Sequence, residues 1–183
     1  MPELRSVAVV GASLAGRRAV EALRARGFAG RIDWIGAESH EPYDRPPLSK
    51  QVLRGEWGPE RIALARNGLA GFAAQRHFGR RALRLDVAAR RIELDDGDFV
   101  AFDGLVIATG ASPRKLPGQP TLAGVSVLRT LDDALAIRDA LAARPRVVVV
   151  GGGFIGAEVA ASCRRRGAAV TMVEALGNPL EQA

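Results

Sequence analysis

The stretch "RVVVVGGGFIGAEVA", residues 146–160, decides the fold. A short β-branched run of this kind reads as a strand buried in a parallel sheet. It enters three glycines, then an alanine-rich helical segment that stops at Gly167, a usual helix-ending residue. A second strand, "AAVTMVE", follows at 168–174. Gly151, Gly153 and Gly156 satisfy G-x-G-x-x-G, with Phe154 and Ile155 in the variable positions. The first glycine permits a tight turn, the second lets backbone approach a pyrophosphate, and the third lets helix and strand pack closely. Unpaired N–H groups and the helix dipole favour an anion at that end. Glu174 closes the second strand at the spacing of an acid that binds a ribose 2′-OH. A glycine string alone also serves plain tight packing. Strand, turn, helix, strand and acid in this order point to a dinucleotide.

The same order occurs once before. "RSVAVV", residues 5–10, leads into Gly11, a helical segment ending at Gly27, and the strand-like "RIDWIG" at 31–36. The turn "GASLAG" keeps Gly11 and Gly16, with Ala12, Ser13, Leu14 and Ala15 between them. Ser13 stands where the middle glycine belongs, and its Cβ crowds a phosphate. Taken alone, this is either a plain strand–helix turn or a second nucleotide site. Glu38 either serves that nucleotide's ribose or is a solvated loop acid.

Between the two copies, "RALRLD", "RIELDD" and "FVAF" predict an antiparallel meander over residues 81–102, with the Asp-Gly of "DDGD" as a hairpin turn. "GLVIATG" is a fully apolar strand ending in Thr109 and Gly110. "ASPRKLPGQP", residues 111–120, has three prolines and is the best linker in the chain. "VSVLRTLDDALAIRDALAAR" predicts a strand and then a helix, opened by a capping box from Thr130 to Asp133.

Composition excludes several classes. No run approaches the roughly 18 apolar residues of a membrane span, and the N-terminus lacks a signal-peptide pattern. A cytoplasmic location is the expectation. Cys163 is the only cysteine, so neither an internal disulfide nor a two-thiol redox centre is available. Two histidines and one cysteine, far apart, give no metal-ligand spacing. The net charge of +6 raises nucleic acid as a partner. The arginines are scattered, and their densest runs lack interleaved aromatics, so no nucleic-acid partner is expected. His40 and His77 are given no role.

The chain has only two lysines, Lys50 and Lys115, and "EPYDRPPLSK", residues 41–50, delivers one at the end of a three-proline loop. Prolines limit the unfolded loop's freedom and help preorganise it. "VAVVGASLAG", "PYDRPPLSK", "LVIATGA", "LRTLDDA" and "VVVVGGGFIGAEVA", in this order, resemble the FAD-dependent pyridine-nucleotide oxidoreductase superfamily. The resemblance is strongest to the ferredoxin reductases of the putidaredoxin and rhodocoxin reductase kind, and covers essentially the whole chain. It implies an α/β fold. A Rossmann-like FAD-binding domain of parallel sheet plus meander, residues 1–112, precedes the start of an NAD-binding domain, residues 113–183.

The resemblance also implies roles. Gly11 to Gly16 would cradle the FAD pyrophosphate and Glu38 the adenosine ribose. Ala82 would meet the adenine by its backbone. Arg45, Lys50, Thr109, Gly110 and Arg129 would lie along FAD. The second turn and Glu174 would bind NAD(H). Lys50 would stand beside the flavin N5, paired with Glu158; the two are the expected catalytic residues. Without a cysteine pair beside the flavin, electrons would pass singly to a small iron–sulfur protein. Family members continue well beyond residue 183, so the expectation is an N-terminal portion, with another chain as a possible source of the rest. The alternatives are a non-catalytic nucleotide-binding fragment, or an NADH oxidase or nitrite reductase component.

Overall fold

The computed structural model describes residues 4–64, 70–118 and 122–181. The chain clusters into two compact units, one from residues 1–44 and 63–111, the other from 45–62 and 112–183.

The first unit is built on four parallel strands. These are β1 (Ser6–Val10), β2 (Arg31–Gly36), β3 (Gln75–Phe78) and β7 (Gly104–Ile107), in the order β3-β2-β1-β7. Helix α1 (Leu14–Ala25) crosses from β1 to β2. Side chains alternate across a strand, and both faces of β1 are covered. Val7 and Val9 pack with Val20 of α1, Ile32 and Trp34. Ala8 turns the other way, onto Ile35, Ile92, Leu94 and Val100. That second face is covered by the expected meander: β4 (Ala82–Asp86), β5 (Arg91–Leu94) and β6 (Phe99–Ala101), antiparallel in sequence order. Burial on both faces is why "RSVAVV" reads as unbroken apolar sequence. Gly97 of the Asp-Gly turn has φ +87°, which a Cβ would oppose.

The edge between β1 and β7 is pinned by Asp103. Its carboxylate accepts from the backbone N–H of Arg5 and of Ser6, each at 2.9 Å, and from the Ser6 hydroxyl at 3.1 Å. These donors, led by the Arg5 N–H, hold its pKa below the ordinary value.

The second unit carries the other strand–helix–strand copy. Strands β8 (Arg146–Val150) and β9 (Ala169–Val173) pair in parallel, joined by α5 (Phe154–Arg165). Helix α4 (Leu131–Ala140) starts at the expected capping box, with Thr130 and Asp133 bonded reciprocally. Residues 45–62 supply a 3-10 turn (Pro46–Ser49) and two single-turn helices, α2 (Gln51–Arg54) and α3 (Pro59–Ile62). Leu53 of α2 enters the core beside Leu141, Cys163 and Ala168. Burial pushes the Cys163 thiol up. On the two-stranded sheet, Val148, Val150 and Val173 remain exposed.

One expectation needs correction. Residues 125–129 form no strand, and none of the sheets includes them. Their β-branched composition suits a strand, but a strand exists only through a paired neighbour. The expected linker is irregular over 111–118; its last two residues lie outside the described residues.

Both glycine turns depend on close approach. A Cβ on Gly16 would stand 1.7 Å from the Gly11 carbonyl oxygen and 3.2 Å from the Trp34 indole nitrogen, which itself donates to that carbonyl at 3.1 Å. We predict that Gly16→Ala destabilises the first unit by about 3 kcal/mol through overpacking. Gly27→Ala, with open space but φ +82°, should cost about 1 kcal/mol from backbone strain alone. Urea unfolding followed by Trp34 fluorescence in a Trp57→Phe background measures both. Equal losses would show that the close approach is not limiting.

Candidate functional site

In the first unit, the predicted residues gather at the carboxyl ends of the parallel strands. β1 is followed by Gly11, whose φ of +121° makes the turn into α1. A Cβ there would lie 2.0 Å from the Ala108 carbonyl oxygen, so the end of β7, with Thr109 and Gly110 after it, abuts the turn. In open α/β sheets this place, where strand order reverses, is where ligands bind. Ala12, Ser13, Leu14 and Ala15 span the turn to the helix. Ser13 is the N-cap residue, yet its hydroxyl makes no cap hydrogen bond. Glu38 follows β2. Its carboxylate accepts from the Tyr43 hydroxyl and its carbonyl accepts from Gly79 N–H at 2.9 Å. Ala82 opens β4, where the ladder to β5 bulges between Ala82 and Arg84; a bulge leaves backbone groups outside regular pairing.

In the second unit, the second glycine turn divides its work among its residues. Gly151 has φ +102°, and a Cβ on Gly156 would stand 2.0 Å from the Gly151 carbonyl oxygen. A Cβ on Gly153 meets nothing within 4 Å, so that side of the turn is open. A cleft of about 320 Å³ lies here, lined by Gly152, Gly153, Phe154 and Glu174 together with Leu176, Asn178, Leu180 and Glu181. Glu174 accepts from Gly152 N–H, and from Leu176 N–H at 2.9 Å. The Leu176 bond, then the Gly152 bond, holds its carboxyl below the ordinary range, so an anion faces the cleft.

A neighbouring cleft of about 310 Å³ holds the remaining predicted residues: Arg45, Lys50, Arg129, Ile155 and Glu158, with Ser49 and Leu128. The Lys50 ammonium donates to Glu158 Oε2 at 2.7 Å, and the Ser49 hydroxyl donates to the same oxygen at 2.5 Å. Lys50 and Glu158 are 33% and 38% exposed. A pair this open is screened by water and salt, so it serves placement more than stability. Arg45 donates from Nη1 to the Arg129 carbonyl at 2.7 Å, and Arg129 N–H donates to Asp133 at 3.0 Å. Arg45 thus braces the segment before α4. The sequence reading missed Ser49 and Tyr43. Ser49 stands in the quoted loop, but its bond to Glu158 spans 109 residues and has no local signal.

Among the described residues, no group of three or more His, Cys, Asp or Glu is arranged to hold a metal ion, and no helix is long and apolar enough to cross a membrane.

Residues 5–183 match the family described as pyridine nucleotide-disulphide oxidoreductase. The chain is 43% identical over 171 residues to the biphenyl dioxygenase system ferredoxin–NAD(+) reductase component of Paraburkholderia xenovorans (strain LB400). That match covers 93% of this chain and 42% of that protein. Rhodocoxin reductase of Rhodococcus erythropolis is 40% identical over 182 residues, covering 97% and 42%. Among solved structures, the covalent putidaredoxin reductase–putidaredoxin complex is similar with a TM-score of 0.87 at 35% identity, over 98% of this chain and 44% of that one. The chain therefore spans less than half the length of these relatives.

The shared oxygen on Glu158 gives a prediction. The Lys50 bond, then the Ser49 bond, depresses its carboxyl pKa against desolvation. A depressed carboxylate contributes stability above its unfolded pKa and loses that contribution as pH falls through the folded value. The window lies below the reference 4.5. Lys50→Met should move the Glu158 titration midpoint upward, and Ser49→Ala should move it upward by less. Side-chain carboxyl ¹³C NMR against pH measures it; unchanged midpoints in both variants would show that the contacts do not hold in solution.

Proposed function

The chain belongs to the pyridine nucleotide-disulphide oxidoreductase family, and on that premise we propose that it is part of an FAD-dependent NADH oxidoreductase of the ferredoxin reductase type. The observation that carries the reading is the Lys50–Glu158 pair, 2.7 Å apart beside an open glycine turn, in a chain whose only cysteine is buried. A lone buried thiol supports no dithiol relay. Bound flavin takes two electrons as hydride and releases them singly, which suits a small iron–sulfur acceptor of the ferredoxin kind.

In this reading residues 1–112 serve FAD and residues 113–183 serve NADH, in a cytoplasmic protein. The glycine turn from Gly11 to Gly16 takes the FAD pyrophosphate on backbone N–H groups, and the uncommitted Ser13 hydroxyl is free to add a donor. Glu38 takes the adenosine ribose, steadied by Tyr43. Ala82 offers its backbone to the adenine, while Thr109, Gly110, Arg45 and Arg129 lie along the remainder. Gly151, Gly153 and Gly156, with Phe154 and Ile155, receive the NADH pyrophosphate. The open side of Gly153 supports this fit. Lys50 presents a positive group to the hydride acceptor. Glu158 fixes where that ammonium stands.

Glu174 sets the nucleotide preference. Its carboxylate accepts from a ribose 2′-OH and repels a 2′-phosphate, and no Lys or Arg follows it in "EALGNPLEQA". Like charges near 4 Å repel by about 4 kcal/mol at an effective dielectric near 20, and solvent reduces this. NADH should therefore be preferred by about tenfold or more, the equivalent of about 1.4 kcal/mol or more. Stopped-flow flavin reduction by each nucleotide tests it. Equal rates with NADH and NADPH would contradict the role given to Glu174, and no reduction by either would contradict the oxidoreductase reading.

A further inference from the structure

Three residues along one face of α5 and its C-cap, Glu158, Ser162 and Arg166, are spaced four apart, so they lie one above another. Each bonds the same short stretch, more than 100 residues earlier in the chain. Glu158 takes the Lys50 ammonium and the Ser49 hydroxyl. Ser162, 1% exposed, donates its hydroxyl to the Ser49 carbonyl at 2.6 Å. Arg166 donates from Nη1 to the Arg54 carbonyl at 3.1 Å and from Nη2 to the Arg138 carbonyl of α4 at 3.4 Å. Gly55 leaves the room: a Cβ there would stand 3.0 Å from Arg166 Nη1.

The stretch needs this support. α2 is four residues long, far below the roughly 12–15 at which a helix stands alone. Lys50 sits at the joint between the 3-10 turn and α2, with φ −120° and ψ −100°, outside the helical range. One backbone bond ties it to each side: its N–H donates to the Pro47 carbonyl at 3.1 Å, and its carbonyl accepts from Arg54 N–H at 2.9 Å. The carbonyl that Ser162 holds belongs to the peptide entering Lys50. Fixing that peptide plane fixes where the Lys50 side chain departs.

We propose that Ser162 and Arg166 are positioning residues, a polar seam on α5 that sets the backbone of residues 49–54 so that Lys50 meets Glu158. The functional meaning of this rests on the oxidoreductase reading above; the seam itself does not.

The two-lysine composition supplies the test. A lysine-specific endoprotease has two sites: Lys115, exposed in the 111–118 coil, and Lys50, within the seam. Cleavage of a closed site follows its open population. Wild-type protein should be cut after Lys115 while the Lys50–Gln51 bond survives. Ser162→Ala should quicken cutting after Lys50 by about tenfold, at the upper end of what one buried hydrogen bond supplies. The rate at Lys115 should be unchanged, and the thermal midpoint should fall only by the few degrees that the loss of one buried hydrogen bond gives. Protein labelled with ¹⁵N-lysine gives two ammonium signals, and the variant should move that of Lys50 towards a solvated value. Arg166→Lys, which meets only one of the two carbonyls, should act in the same direction by less, and it decides the matter if Ser162→Ala does not fold. Wild-type cutting at Lys50 in both variants overturns the proposal. So does faster cutting with an unmoved Lys50 ammonium, which would show a seam that holds chain without positioning the lysine. Neither readout uses a nucleotide, so failure of the functional reading leaves both results as they are.

Discussion

Two backbone carbonyls set the tolerances of this protein. The Gly11 oxygen and the Gly151 oxygen each face a glycine five residues on, in the first turn of the helix, and a Cβ there would come within 1.7 Å and 2.0 Å respectively. The contact forces each helix to begin hard against the strand that feeds it. The first N–H groups of α1 and α5 therefore stand just beyond the carboxyl ends of β1 and β8. The same short distance that forbids a side chain creates an anion-receiving end. In the first unit Trp34 adds to the constraint, since its indole N–H already occupies the Gly11 carbonyl.

The second constraint is of another kind. Residues 45–62 are too short in their helices to fold alone, and they take their shape from α4 and α5. Leu53 anchors the stretch in the core, and the α5 seam fixes its direction. A proline-rich loop thereby delivers one of only two lysines to a fixed acid. Arginine in that place would bring a wider planar group and a different hydrogen-bonding geometry. A compact ammonium fits a single shared carboxylate oxygen beside a serine hydroxyl.

Much of this was legible in the sequence, because it is local. Strand, glycine turn, helix and strand are read from composition and spacing at 5–36 and again at 146–174. The meander follows from period and an Asp-Gly turn, and the α4 cap from Thr130 and Asp133. The Lys50–Glu158 contact came from a resemblance to known proteins, since nothing local links residues 108 apart. Residues 125–129 misled because propensity records a preference for extended backbone, while a strand also needs a neighbour. Ser49, Ser162 and Arg166 were silent for the opposite reason. A serine or an arginine in a helix carries no mark of the distant carbonyl it bonds.

The role proposed for the Lys50–Glu158 pair is to meet a hydride acceptor. Anaerobic addition of NADH to the protein with FAD at saturating concentration tests it most directly, by visible absorption in wild type and in Lys50→Ala. Wild-type flavin should bleach, and Lys50→Ala should bleach at least about tenfold more slowly, the factor that about 1.4 kcal/mol of lost transition-state stabilisation gives. Flavin that stays oxidised in wild type, or that bleaches equally fast in both proteins, would contradict it.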